Sequence, residues 1–273
     1  MRWIVLIDES GFRVSEVVGI TYFVYLAALT LVIRLPRRRR VRVWTAVAVV
    51  IAATLAIGQQ PSSSIVDTVR DWMPMLGILL AYYATGEFYV APSARFEAWL
   101  RSWDDRLIGR SSFRSLPLAL RVYLELVYDF CFALIPAGFC VLMWAGAAAS
   151  ADRFWTLVAV AEYVPFGTLP WLQARPPWAI EGLRAADATS VRRFSLSWVN
   201  RTTIHANTFP SGHASASLAV ALALIDAAPR TAFAFGVLAV SIAAASVVGR
   251  FHYAIDAIVG LLFAVVAWAV LGL

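Results

Sequence analysis

The chain has 273 residues, 61% of them hydrophobic, and a mean hydropathy of +0.73. Soluble domains sit nearer about 45–50% apolar, so composition excludes an ordinary soluble globular protein and points to the bilayer. The net charge of +6 is carried by arginine without any lysine; in a polytopic protein this reads as arginine-rich loops facing cytoplasm and lipid headgroups, and not as nucleic-acid binding.

No cleavable signal peptide is expected, because Met1–Glu16 carries Asp8, Glu9, Arg13 and Glu16 where a signal core should be apolar. A spanning helix needs about 20 mostly apolar residues. That rule gives eight candidate spans: Val17–Ile33, Val43–Gly58, Trp72–Val90, Leu118–Ala147, Trp155–Leu172, Ala214–Ala228, Thr231–Val248 and Tyr253–Leu273. The arginine run Arg34–Arg42 reads as a cytoplasmic anchor, and counting spans from it places Ala91–Pro117 and Gln173–Pro210 on that same side. Gln59–Asp71 reads as a polar connection and Gln173–Pro210 as a long loop.

Phe96, Leu100, Trp103 and Leu107 recur at helical spacing, which predicts a helix over Arg95–Gly109 lying in the interface plane. Asp104 and Asp105 are expected to pair with Arg101 or Arg106 on it. Pro136 and Gly138 are expected to kink the long fourth span. Cys131 and Cys140 share that apolar segment and read as packed core thiols, neither a disulfide framework nor a metal cluster. Few polar residues lie inside the spans (Glu125, Asp129 and Glu162), which argues against a transporter with a polar midplane site. The fold class is therefore an all-α polytopic membrane bundle. It divides into 1–71, extra N-terminal spans with the arginine-rich loop, and 72–273, a six-span core.

Chemistry concentrates at span boundaries. In "NTFPSGHAS", Pro210 and Gly212 punctuate the chain and a helix former follows, so Ser211, Gly212 and His213 are delivered to a helix N-terminus. Free N–H groups and the helix dipole make that an anion site, which Gly212 lets a ligand approach closely. In "GRFHYAIDAIVG", Asp256 follows His252 by four residues, on one helical face, and can hold one imidazole nitrogen so that the other attacks. In "QARPPWAIE", two prolines stiffen the backbone after Arg175, presenting a guanidinium for bidentate phosphate binding; Arg250 is a second candidate. Each feature alone is weak, since a span-end histidine is more often structural and a span-end arginine usually snorkels. His205 reads as a plain loop residue.

Together, "ARPP", "PSGHAS" and "HYAID" resemble the three signature motifs of the type 2 phosphatidic acid phosphatase superfamily, which includes lipid phosphate phosphatases, vanadium haloperoxidases and inositolphosphoryl transferases. The resemblance runs from about Trp72 to the C-terminus. It implies that His252 is a nucleophile forming a phosphohistidine, that Asp256 orients it, and that His213 is the general acid. It further implies that Arg175, Ser211 and Gly212 contact phosphoryl oxygens. Two positions depart: Thr168 stands where the first motif usually has lysine, and Ser246 where the third usually has arginine. Arg250 is the candidate substitute. "NTFPSGH", "RPPWAIE" and "HYAIDAIVG" are closer to the inositolphosphoryl-transferase branch. The implied partner is a lipid or polyprenyl phosphate in the bilayer, with no metal or other cofactor expected. A multi-pass cell-membrane protein of the bacterial inner-membrane kind is implied; the oligomeric state is not legible. A non-catalytic lipid-phosphate binder or flippase is the alternative. The superfamily's sites mostly face the extracytoplasmic side, in conflict with the arginine count.

Overall fold

The computed structural model describes residues 11–109, 116–181 and 189–272; Asp8, Glu9 and Leu273 lie outside them. The described residues form eleven α-helices. They are α1 (Val14–Val32), α2 (Arg37–Gly58), α3 (Ser64–Gly86), α4 (Ala94–Leu107), α5 (Leu118–Trp144), α6 (Ala151–Thr168), α7 (Pro177–Glu181), α8 (Ser190–Thr202), α9 (Gly212–Ala223), α10 (Pro229–Val248) and α11 (Ala254–Leu271). A single antiparallel bridge joins Ala174 and Asn207. Five helices, α1, α2, α5, α10 and α11, are long and apolar enough to cross a membrane, which makes the protein a multi-pass, all-α membrane bundle.

The remaining three expected spans, α3, α6 and α9, are helices of different character. The α3 helix begins eight residues before the expected Trp72, so Gln59–Asp71 is not simply a connection. Ser63 caps it, its side chain accepting from the Val66 N–H. The extra turns carry Arg70 to Glu16 (2.7 Å) and Asp71 to Arg13 (2.6 Å), pinning α3 to the start of α1. The α9 helix has only 12 residues, yet it packs against α5, α6, α10 and α11 and is the centre of the bundle. Ala214, Ser215, Ala216, Ser217 and Ala219 are buried on it. Small side chains let neighbouring backbones approach, which is how helices gain packing energy where lipid offers no hydrophobic drive. The α1–α3 group docks on α6.

The long loop Gln173–Pro210 is also more ordered than its composition suggests. It contains α8, which packs on α5 through buried Arg192, Ser195 and Val199 while Phe194 and Trp198 stay exposed. The arginine run is likewise helical from Arg37. Its Arg39 donates to the Tyr89 carbonyl (2.6 Å) and Arg42 pairs with Glu87 (3.0 Å). Gln173 Oε1 accepts from the Val90 and Ala91 N–H groups, so the arginine run and the "ARPP" segment share one end of the bundle. At the opposite end, Asp152 accepts from the N–H groups of Val14 and Ser15, and Arg153 pairs with Asp226. Cys131 is buried and Cys140 exposed, so the expectation of two packed thiols holds for the first alone.

Candidate active site

Three chain segments converge at the arginine end. The Asn207 N–H donates to the Ala174 carbonyl (2.8 Å), the Ser211 N–H to the Asp256 carbonyl (2.9 Å), and the Trp178 N–H to the Arg250 carbonyl (2.9 Å). The three expected motifs are thus stitched together by backbone bonds, in addition to any side-chain contact. Ser211 is the N-cap of α9, its Oγ accepting from the Ala214 N–H at 3.3 Å. It is fully buried, and that hydroxyl serves the cap. The Gly212 N–H reaches only Thr208 Oγ1, at 3.5 Å.

His213 Nδ1 lies 3.1 Å from His252 Nε2, and His252 Nδ1 lies 3.4 Å from Asp256 Oδ2. Asp256 is held more tightly by Asn207, whose Nδ2 donates at 2.7 Å. The proton positions follow from these contacts. A carboxylate only accepts, so His252 carries its proton on Nδ1 and Nε2 keeps its lone pair. His213 therefore donates from Nδ1, and its own Nε2 is left with a lone pair. The expectation that His252 lies on the same helical face as Asp256 is corrected in detail. The α11 helix begins at Ala254, so His252 approaches from the entry turn, where its N–H donates to the Ser246 carbonyl at 2.9 Å.

Aromatic rings flank the His213 imidazole and hold Phe251, the residue before His252. Phe251 stacks on Tyr128 with centroids 3.9 Å apart, and the Arg192 guanidinium lies over Phe251 at 4.6 Å. Tyr128 and Phe132 flank His213 at 5.8 and 5.7 Å. Arg192 also donates to the Gly249 carbonyl at 2.6 Å, three residues before His252. Burial lowers this guanidinium below its ordinary range.

The two candidate phosphate arginines are not directed at the imidazoles. Arg175 makes a bidentate pair with Glu97 of α4, both bonds at 2.9 Å, and its backbone N–H donates to the same carboxylate. The side-chain bond from Arg175 holds the Glu97 carboxyl below its ordinary value. Arg250, at φ +60°, pairs with Asp104 (2.7 Å) and with Glu181. Asp104 thus pairs with Arg250 and not with Arg101 or Arg106 as expected, and it also accepts from the Ala254 N–H at 2.7 Å. Burial raises the Asp104 carboxyl, with those two donors pulling the other way. The inward face of α4 is Glu97, Leu100 and Asp104, so this amphipathic helix docks through two carboxylates as well as apolar contact.

The two departures from the signature motifs have local roles. Thr168 Oγ1 donates to the Phe209 carbonyl within the turn that delivers His213. The Ser246 carbonyl accepts from the N–H groups of Phe251 and His252.

Both imidazoles open onto a cavity of about 450 Å³ between α3, α5, α6, α8 and α9. Its walls are mainly apolar, including Met75, Ile78, Ile135, Phe166 and Trp198, and it also touches Gly212, Glu162 and His205. His205 is therefore more than a loop residue: it lines the cavity, with φ +56° and its ring 6.1 Å from that of Trp178. Tyr128 to Ile135 is seven residues, so the cavity runs about 10 Å down α5 from the histidine level. Sequence reasoning missed Asn207, Glu97, Glu181 and Arg192. Only Asn207 carried a signal, as a buried-type polar residue beside the turn.

A search of curated proteins and of solved structures found no match. A family model described as the PAP2 superfamily matches residues 94–270, from α4 into α11 and across all three motif segments. The chain belongs to the PAP2, or type 2 phosphatidic acid phosphatase, superfamily.

Proposed function

We propose that the protein is a membrane phosphoesterase or phosphotransferase acting on a lipid or polyprenyl phosphate through a phosphohistidine. One observation carries this reading: the chain of contacts Asn207–Asp256–His252–His213 ends in a mainly apolar cavity of about 450 Å³. His213 first takes up a second proton on its free Nε2. His252 Nε2 then attacks phosphorus as the phosphorus–oxygen bond breaks, and the His213 imidazolium protonates the departing oxygen and returns to neutral. Water or an alcohol then attacks the phosphohistidine. The phosphorus–nitrogen bond breaks, its electron pair returns to Nε2, and His213 takes the proton. The 3.1 Å contact between the imidazoles must open to admit the phosphoryl group. Phosphate contacts are assigned to the α9 N-terminus at Ser211 and Gly212, with Arg175 and Arg250 exchanging carboxylate for phosphate. The motif details favour an inositolphosphoryl-type transfer over simple hydrolysis.

Purified protein is to be screened against phosphatidate, polyprenyl phosphates and diphosphates, and phosphatidylinositol, with and without acceptor alcohols. Phosphate or headgroup release is expected to fall at least about 100-fold in His213→Ala and further in His252→Ala. Release that survives both substitutions refutes the residue assignment.

A second reading has its own support. Both motif arginines are already paired with carboxylates, which suits a protein that binds or flips a lipid phosphate without cleaving it. Saturable lipid-phosphate binding with no release from any substrate would favour it.

The site and the arginine run share one end of the bundle, opposite the end where Arg13, Arg70 and Arg153 stand. We place that end in the cytoplasm, and the protein in a bacterial inner membrane, on the positive-inside rule.

A further inference from the structure

Glu162 differs from the other carboxyls inside the bundle. Glu125 accepts from Thr189 Oγ1 at 2.6 Å and Asp129 from Ser195 Oγ at 2.7 Å. Glu162 has no hydrogen bond or ion pair with any described residue. It faces the cavity that holds His213 and His252. Its height is fixed by Gly212, where an added Cβ would lie 2.7 Å from Glu162 Oε2. The carboxyl therefore sits beside the first turn of α9, at the histidine level and not at the cavity floor. Its surroundings there are Phe166, Cys131 and Tyr82, and the Tyr82 hydroxyl already accepts from the Ile204 N–H at 3.0 Å.

A carboxyl in an apolar cavity is stabilised when a ligand brings a donor to it, and buried polar groups are nearly always partnered. Facing an ionised carboxyl a phosphate oxygen is an acceptor against an acceptor, and facing a protonated one it takes the single O–H and still leaves the carbonyl oxygen without a donor. An ammonium would leave its hydration shell for apolar walls, at much higher cost than a hydroxyl. We propose that Glu162 is a recognition site for the hydroxyl of a long-chain alcohol, the co-substrate that competes with water at the phosphohistidine. While bound, the alcohol donates its O–H to a Glu162 oxygen with its chain lying down the cavity toward Ile135 and Met75, and on attack it turns that proton to His213. The competition with water rests on the phosphoryl-transfer reading above, whereas the binding site does not.

The probe is a diazirine-bearing dodecanol, with dodecanol and dodecyl methyl ether as competitors, on wild type, Glu162→Gln and Glu162→Leu in detergent. Dodecanol is expected to suppress labelling of the wild type, with the ether about fivefold weaker, the factor that one hydrogen bond supplies. Glu162→Gln keeps an accepting oxygen and is expected to keep the preference, whereas Glu162→Leu loses it. Equal competition by alcohol and ether on the wild type overturns the proposal whether or not the leucine variant folds. So does a preference that persists in Glu162→Leu. A Glu162-dependent preference in a protein that releases no phosphate from any substrate would remove the enzyme reading and leave the hydroxyl site standing.

Discussion

Gly260 of α11 is a point of close approach between the two histidine-bearing segments. A Cβ built there would lie 2.6 Å from the Ser211 carbonyl oxygen and 3.2 Å from the Ala214 Cβ. Ordinary contact begins at 3.4 Å, so Gly260→Ala must part α9 from α11 by about 0.8 Å. The obstacle is backbone, which cannot swing aside as a side chain would. The Ser211 carbonyl also accepts from the Ser215 N–H, and the Ser211 N–H donates to the Asp256 carbonyl, so the whole cap moves. In a free helix, glycine to alanine gains about 0.5–1 kcal/mol. Overpacking here costs about 1–3 kcal/mol, and the balance is a loss of up to about 2.5 kcal/mol. Activity is more sensitive, because the His213–His252 contact of 3.1 Å joins α9 to the turn that enters α11. A displacement near 1 Å can lower a rate by about 100-fold. The assay pairs thermal unfolding in detergent with phosphate release from dioctanoyl phosphatidate, or from whichever substrate the screen returns. Gly236→Ala is the control, since its added Cβ meets nothing within 4 Å. It should keep activity and hold or gain stability. Folded Gly260→Ala with activity within twofold of wild type would refute the claim that this contact sets the histidine geometry.

Two more outcomes are expected. Asn207→Ala removes the 2.7 Å bond to Asp256 at a site 1% exposed, so stability should fall by about 1–3 kcal/mol. In the folded fraction kcat should drop with KM little changed, and an unaltered kcat would show that Asn207 does not position the relay. For sidedness, a cysteine at Ser190, with Cys131 and Cys140 replaced, should label with an impermeant maleimide from the cytoplasmic face. Labelling only from the periplasmic face would reverse the proposed orientation.

Much of the site was legible because its chemistry is local. His213 follows Pro210 and Gly212 at a span start, and Asp256 stands four residues after His252. The first spacing brings imidazole to a helix N-terminus, and the second brings carboxylate to imidazole across the turn that enters α11 and not along a helical face. The arginines were legible as residues but not in their environment. Arg175 meets Glu97 and Arg250 meets Asp104 across 78 and 146 residues, and composition does not show which of several nearby acids a guanidinium reaches. Asp104 has arginines at local spacing, yet the docking of α4 against α11 turns it inward. The α8 helix was hidden because buried Arg192 and Ser195 do not register as an apolar stripe. The early start of α3 was hidden in the same way, by Asp67, Arg70 and Asp71.

The brevity of α9 has a consequence for which phosphates reach His213. Twelve residues rise only about 18 Å, against a hydrocarbon core of about 30 Å. Beyond its C-terminal end stands the water-exposed pair of Arg153 and Asp226, which marks one membrane surface. On the function proposed above, and with α9 standing near the bilayer normal, its opposite end stops short of the other surface and places the two imidazoles in a pit beneath the headgroup plane. A phosphate arriving from solution would have to shed its water to descend that far. One attached to a lipid is carried down by its own chain, so on that proposal the depth of the pit would sort membrane-borne esters from soluble ones before any residue touches phosphorus.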